Sequence, residues 1–382
     1  MTYILLQSMG FMRLFICVLL LIAVTGTVQA RDLQGLYRAI VPVIDQSEAE
    51  RRMALKLTLA QVIKKVTGRE AVMNNIALAT AFSRAESFVE QYQYKKTDDI
   101  DEEQEAPLIP EYLLSVLYNK ASIDAVLKQH NVPVWGRNRP VVLAWVAIKN
   151  KQGERYLVGP ERAISAGHIE QAGDNSGLPY TLPLMDLQDQ RSVTFNDVWG
   201  GFSERILKAS ERYGVEHVLF SRFSQQPDGQ WRARWSLLSD QGQVDGEAKQ
   251  AVFVDALAEM TSDTTKILAD TYAPEGIRHR NNIIMKVDGI DNLTGLSQVF
   301  GYLQSLDVIV GVSWKHVQLN EVKFELSYEG ELAVLKDTIK LNNILKEVAE
   351  EPKLLSNSII TTIENSLETT AYERLLHYRV GF

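Results

Sequence analysis

The patterned part of the chain begins with Tyr37-Arg38-Ala39-Ile40-Val41-Pro42-Val43, an apolar run that predicts a short strand. Ser47-Glu48-Ala49-Glu50 has the spacing of a capping box, in which Ser47 accepts from a first-turn amide and Glu50 reaches back. The helix it starts places Leu55, Leu59, Val62, Ile63 and Val66 on one face and Thr58, Gln61, Lys64 and Lys65 on the other. Gly68 supplies its C-terminal stop. A second helical stretch is predicted over Ile76 to Phe88, followed by Tyr92-Gln93-Tyr94. Tyr112 to Tyr118 reads as a strand and Ser122 to Gln129 as a helix. Val141 to Ile148 is continuously apolar, as expected of a strand covered on both faces. These elements compose an N-terminal α/β region over residues 31–148.

A central α/β module is expected over residues 149–275. Gly159 to Pro179, rich in Gly, Ser, Asp and Asn, predicts an exposed loop, and Leu182 to Leu187 an extended segment. A helix over Asp197 to Tyr213 carries Phe202, Ile206, Ala209 and Tyr213 as a stripe; Gly214 ends it and His217 to Arg222 forms a strand. Trp231 to Leu237 alternates with period two, a half-exposed strand with Trp231 and Trp235 on one face and Arg232 and Arg234 on the other. Leu257, Met260, Thr264, Ile267 and Thr271 mark a last helix.

Residues 281–382 read as strand (Ile283 to Val287), helix (Leu296, Val299, Phe300, Leu303, capped by Asp291 or Asn292), strands (Val308 to Val317, Val322 to Ser327), helix (Glu331 to Ile339) and final strand (Leu375 to Val380). This βαββαβ order is that of a ferredoxin-like split βαβ module. The expected fold class is thus α/β and α+β, in several modules.

Upstream, Arg13 precedes the apolar run Leu14 to Val24, and Val28-Gln29-Ala30 forms a small-residue cleavage site before Arg31. This is the pattern of a signal peptide over residues 1–30, cleaved after Ala30, with translation starting at Met1 or Met12. Cys17 lies inside the apolar run without the small residues of a lipoprotein box, so the mature chain has no cysteine. Disulfides, thiol nucleophiles and Cys-ligated metals are then excluded. The mature chain carries 39 bases against 48 acids, a net charge of −9, which argues against a general nucleic-acid binder. No later stretch is apolar enough for a membrane span. Thr97 to Pro107 is acidic and apolar-poor, a solvated loop.

The search for chemistry finds no G-x-G-x-x-G, P-loop, H-E-x-x-H or G-x-S-x-G, so no catalytic residue and no cofactor is assigned. No two of the six histidines fall at i, i+4 on one helix, and no metal site is expected. Asp186 and Asp189 are paired carboxylates that suit either acid/base work or a solvated loop; His168 near Asp174 is a loop histidine. Trp199-Gly200-Gly201 before a helix suits an anion cradle or a helix-start turn. The most distinctive segment is Val134-Trp135-Gly136-Arg137-Asn138-Arg139-Pro140. Arg137 and Arg139 can offer forks to a carboxylate or phosphate, or can pair locally while Trp135 plugs the core. Trp231 and Trp235 suit ligand stacking or packing on the 255–272 helix. The candidate binding residues are therefore Trp135, Arg137, Arg139, Trp231 and Trp235.

Four segments together resemble a secreted proteobacterial family, domain of unknown function 2066: Leu36 to Val43, Val66-Thr67-Gly68, Val134 to Pro140 and Ala209 to Gly214. That resemblance implies secretion but no activity and no catalytic residues. Tyr213 to Phe220 is similar to a segment of several envelope proteins: the lipoprotein activators of penicillin-binding proteins, the curli secretion channel and the amino-terminal domain of the Tol-system propeller protein. This likeness implies docking. The leading expectation is a periplasmic, non-catalytic interaction or assembly factor of the Gram-negative envelope, with envelope proteins as partners. The alternatives are a small-ligand or glycan binder, with a pocket between modules, and a hydrolase using Asp186 or His168.

Overall fold

The computed structural model describes residues 35–96, 111–276, 279–318, 320–348 and 375–381. The signal sequence, its cleavage point after Ala30, Cys17 and the acidic run Thr97 to Pro107 lie outside the described residues. The fold is mixed α/β, built as three sheets with their helices.

The first unit comprises β1 (Arg38–Val43), α1 (Glu48–Thr67), α2 (Ile76–Ala81), β2 (Val89–Lys96), β3 (Tyr112–Tyr118) and α3 (Lys120–Gln129). Its strands pair antiparallel in the order β1-β3-β2, and α1 buries Leu55, Leu59, Val62, Ile63 and Val66 against them. Ser47 caps α1 by accepting from the Glu50 amide, and Gly68 ends it in the left-handed conformation. The capping box itself is half-formed. The Glu50 carboxylate turns to the Ile44 amide, and Asp45 takes the Ser47 amide. The stretch Ile76 to Phe88 splits into α2 and a 3-10 turn at Ala85–Phe88.

The central unit holds β4 (Val142–Lys149), β5 (Arg155–Leu157), α4 (Ala163–Ser176), β6 (Tyr180–Thr181), α5 (Leu187–Ser192), α6 (Phe195–Gly200), α7 (Ser203–Ser210), β7 (His217–Gln225), β8 (Trp231–Ser239), β9 (Gly242–Gln250) and α8 (Phe253–Tyr272). The sheet order is β5-β4-β7-β8-β9, with β6 also on β4. β4 and β7 are parallel; β7, β8 and β9 form an antiparallel meander. β4 is buried on both faces. Val142, Ala144 and Val146 meet α4 and α8, while Leu143, Trp145 and Ala147 meet α6 and α7.

Three expectations are corrected here. β4 belongs to the second sheet, because only a sheet with helices on both faces can cover its unbroken apolar run. The first boundary therefore falls before Val142, within the segment 132–141, and not at residue 148. Gly159 to Pro179 is mostly helix: Ala166, Ile169, Ala172, Gly173 and Ser176 line one face of α4, small enough to sit close against α8. The helix over Asp197 to Tyr213 breaks at Gly200-Gly201, where Gly201 is left-handed with φ 74° and closes α6.

The third unit contains β10 (Arg280–Ile290), α9 (Leu293–Ser305), β11 (Ile309–Gln318), β12 (Asn320–Glu329), α10 (Leu332–Lys340), β13 (Leu345–Glu347) and β14 (Leu375–Val380). The βαββαβ order is present, with β13 added, and the sheet runs β11-β12-β10-β14-β13. β14 lies parallel to β10, and β13 pairs antiparallel on its outer side. Asn292 caps α9 by accepting from the Gly295 amide.

Candidate functional site

The segment Val134 to Pro140 is where the three units meet. The Trp135 amide donates to the Val66 carbonyl at the end of α1 (2.7 Å), and its indole stacks parallel on Tyr272 of α8. Arg139 is fully buried and lies 4.3 Å over the Trp135 ring. Its guanidinium donates to the carbonyls of Gly136 (2.8 Å), Gly177 (2.7 Å) and Lys65 (2.7 Å), and to that of Trp135. Lys65 belongs to the last turn of α1, so the cation also meets the negative end of a helix. Burial lowers the Arg139 pKa to about 9, which keeps it protonated at neutral pH. Arg69, 4% exposed, does the same for α8, donating to the carbonyls of Ala269 and Ala273 and to Asp270.

The third unit docks on the same segment. The Asn138 amide donates to the Thr338 carbonyl (2.9 Å) and accepts from Asn342 (2.7 Å). Asp307 occupies the place a side chain at Gly136 would need, since a Cβ there would lie 1.4 Å from its Oδ2. Trp135 and Arg139 thus face the interior and offer nothing to a ligand; Arg137 alone of the three is exposed.

Trp231 and Trp235 share one face of β8, as their spacing predicts, and that face is turned to α8. Trp235 is buried over Gly246, its cross-strand neighbour, where a Cβ would meet the indole at 2.0 Å. Trp231 packs edge-on against Phe253 at 5.2 Å. Packing therefore corrects the ligand-stacking expectation for Trp235, which has no surface left to stack on.

Asp186 and Asp189 converge, but on a cation. Arg212 donates to both, at 2.8 Å and 3.0 Å, and Asp186 also caps α5. The Arg212 hydrogen bond first, then the Asp189 amide, holds the Asp186 carboxyl far below the usual range. Burial, helped by the bond to Asp189, pushes the Tyr213 hydroxyl up to about 12. Arg212 thus ties α5 to the chain just before β7 through both carboxylates. His168 sits on α4 beside the Phe253 ring, not in a loop. The Gly200-Gly201 amides start no anion cradle; the Gly201 N–H is spent on the Val198 carbonyl. Among the described residues no group of His, Cys, Asp and Glu could hold a metal ion.

A further surface, at the edge of the third sheet, has no motif in the sequence to mark it. β11 is an edge strand, and Val312, Trp314 and Val317 stand opposite Leu326, Phe324 and Val322 of β12. Those three partners are fully buried, yet Trp314 is 56% and Val317 55% exposed. Phe300 of α9 touches Trp314 at 5.2 Å; past that contact, no helix among the described residues covers this side of β11. Two register shifts, at Ile309/Gly311 and Trp314/His316, twist this edge and discourage indiscriminate strand pairing. The signal that could have found it is a tryptophan beside Lys315 and His316 in the first strand of the β11–β12 hairpin.

Residues 30–136 match a domain of unknown function, DUF8605. That span covers the first unit and stops inside the junction segment. No curated protein matches the chain. Among solved structures, the LpoB C-terminal domain from Salmonella enterica aligns over 29% of this chain and 83% of that one, at 15% identity and a TM-score of 0.20. Lipoprotein GNA1162 from Neisseria meningitidis aligns over 35% of this chain and 98% of that one, at 14% identity and a TM-score of 0.22. Scores this low assign no function. No helix among the described residues is long and apolar enough to cross a membrane.

The junction also carries a buried titrating group. His217 is 5% exposed, with Nε2 2.8 Å from the Tyr272 hydroxyl. Nearby, Lys340 of α10 bridges Glu216 and Asp240, tying the third unit to the second. Burial lowers the His217 pKa from 6.5 to about 4, against a smaller upward pull from Asp240. The unfolded chain thus binds a proton near pH 6.5 that the folded protein takes up only near pH 4. This contribution is whole above pH 6.5 and is lost as the pH falls toward 4, by on the order of 3 kcal/mol. Urea unfolding across that range should show His217→Gln with a flatter loss of stability than wild type. Equal slopes would remove His217 from the account.

Proposed function

We propose that this protein is an exported component of the Gram-negative envelope that acts in the periplasm by binding another envelope protein, without chemistry of its own. The observation that carries the reading is Trp314 and Val317 on β11, exposed beside the half-buried Val312 although their β12 partners Phe324 and Val322 lie in the core. Exposed tryptophan at the centre of an apolar strip is the usual anchor of a protein interface. The occupant is an apolar segment of a partner protein lying along β11. The leader pattern at residues 13–30 supports export, and the cysteine-free remainder of the chain is compatible with an oxidising compartment.

The test is chemical crosslinking in intact cells with wild type and the double variant Trp314→Ser/Val317→Asp. Both positions are exposed, so the variant should melt within a few degrees of wild type while losing most of the captured envelope partner. Capture unchanged by the double variant would move the interface elsewhere and sink this reading.

A further inference from the structure

The face of the central sheet opposite the tryptophans holds a charge arrangement that the fold does not need. Arg222 of β7 and Arg234 of β8 stand directly opposite each other. Side chains in such a pair start from Cβ atoms about 5 Å apart, and like charges there repel. The neighbouring carboxylates do not settle the account. Glu247 receives Arg232 through Nε and Nη2, both at 2.8 Å, and Arg234 through Nε at 2.9 Å. Asp245 is held by Ser236 (2.6 Å) and Gln243 (2.7 Å). Arg222 spends Nη1 on the Trp199 carbonyl at the end of α6. Arg232 and Arg234 thus share Glu247, while Arg222 is bonded to a carbonyl and not to a carboxylate.

The Arg222–Arg234 pair lines a groove of about 520 Å³ between the end of α6 and the strands β8 and β9. Val198 and Phe220 supply an apolar wall; Arg222 and Arg234 supply donors, and the two carboxylates of the lining, Glu247 and Asp245, are already engaged by Arg234 and by Ser236 and Gln243. The volume is that of a small-molecule site, and its make-up is an apolar wall with a few converging polar groups. We propose that the groove binds an organic oxyanion whose head bridges Arg222 and Arg234 while its body lies on Val198 and Phe220. An anion between the two guanidiniums turns the repulsion into two charge-assisted bonds. The site is separate from β11 and does not depend on it.

The test is calorimetric titration of the mature chain with phenyl phosphate, inorganic phosphate and, as a neutral control, benzyl alcohol. Phenyl phosphate should bind and benzyl alcohol should not, with affinity falling as salt is raised. Phenyl phosphate should bind more tightly than inorganic phosphate; equal affinity would overturn the placing of an organic body on Val198 and Phe220. Arg222→Gln or Arg234→Gln should each weaken binding about tenfold or more, as expected for loss of a charged donor. Each variant should melt within a few degrees of wild type, because the relief of a like-charge pair offsets the one hydrogen bond it gives up. Absence of anion binding at millimolar concentration would overturn the proposal. So would variants that bind as wild type does but melt lower, since the pair would then be structural.

Discussion

Replacing Arg139 by methionine is expected to destabilise the protein by about 4 kcal/mol, the largest effect of any single polar side chain in the account. Methionine has similar length and adds apolar contact, so the loss comes from the acceptors left behind. The carbonyls of Lys65, Trp135, Gly136 and Gly177 all receive the buried guanidinium. Leaving a buried acceptor unpaired costs about 1–3 kcal/mol. Removing the cation also removes its desolvation cost, several kcal/mol, which is why the net is smaller than the sum of four orphaned carbonyls. Arg139→Lys restores the charge but not the fork, and should recover less than half. Arg137, two residues earlier and exposed, is the internal control: Arg137→Ala should stay within about 0.5 kcal/mol. Urea titration of the three variants reads this directly, and an Arg139→Met change under about 1 kcal/mol would show that the junction is held by something else.

Gly68→Ala should cost about 3 kcal/mol, through two independent terms. Its φ of 68° lies in the left-handed region, where a side chain costs about 1 kcal/mol. Its Cβ would also meet Ala269 Cβ at 2.6 Å and the Trp135 ring at 2.9 Å. Both neighbours are buried, and Trp135 is fixed between Tyr272 and Arg139, so they cannot move aside cheaply. Overpacking of this kind adds about 1–3 kcal/mol. Gly214 is also left-handed, with φ 62°, but has open space around it, so Gly214→Ala should show the conformational term alone. Melting curves of the two variants separate strain from crowding. Equal losses at both positions would mean that α1 and α8 do not pack as closely as described.

Much of the fold is legible along the chain because the signals are local. The unbroken run of β4 announces a strand covered on both faces, and the alternation of β8 sorts tryptophans from arginines correctly. Ser47, Gly68 and Asn292 act as the caps their spacing predicts. What is not legible depends on distant partners. Arg137 and Arg139 look alike in sequence; only the carbonyls of Gly177 and Lys65, 38 and 74 residues away, make one a buried tie and leave the other in solvent. α4 hides because its buried stripe is Ala166, Ala172 and Gly173, small residues that read as loop until α8 is seen against them. The direction of β14 beside β10 follows from strand pairing that no periodicity encodes. Trp314 reads as one more strand residue, because exposure at a sheet edge is decided by which strand ends up outermost.

The central claim, that β11 is where this protein meets an envelope partner, is tested most directly by a photo-crosslinking residue placed at Val317 in cells. The same residue at exposed Glu170 on α4 serves as the control. The account predicts a small, reproducible set of exported proteins joined at Val317 and absent at Glu170. The same set at both positions, or nothing above background at Val317, would contradict it.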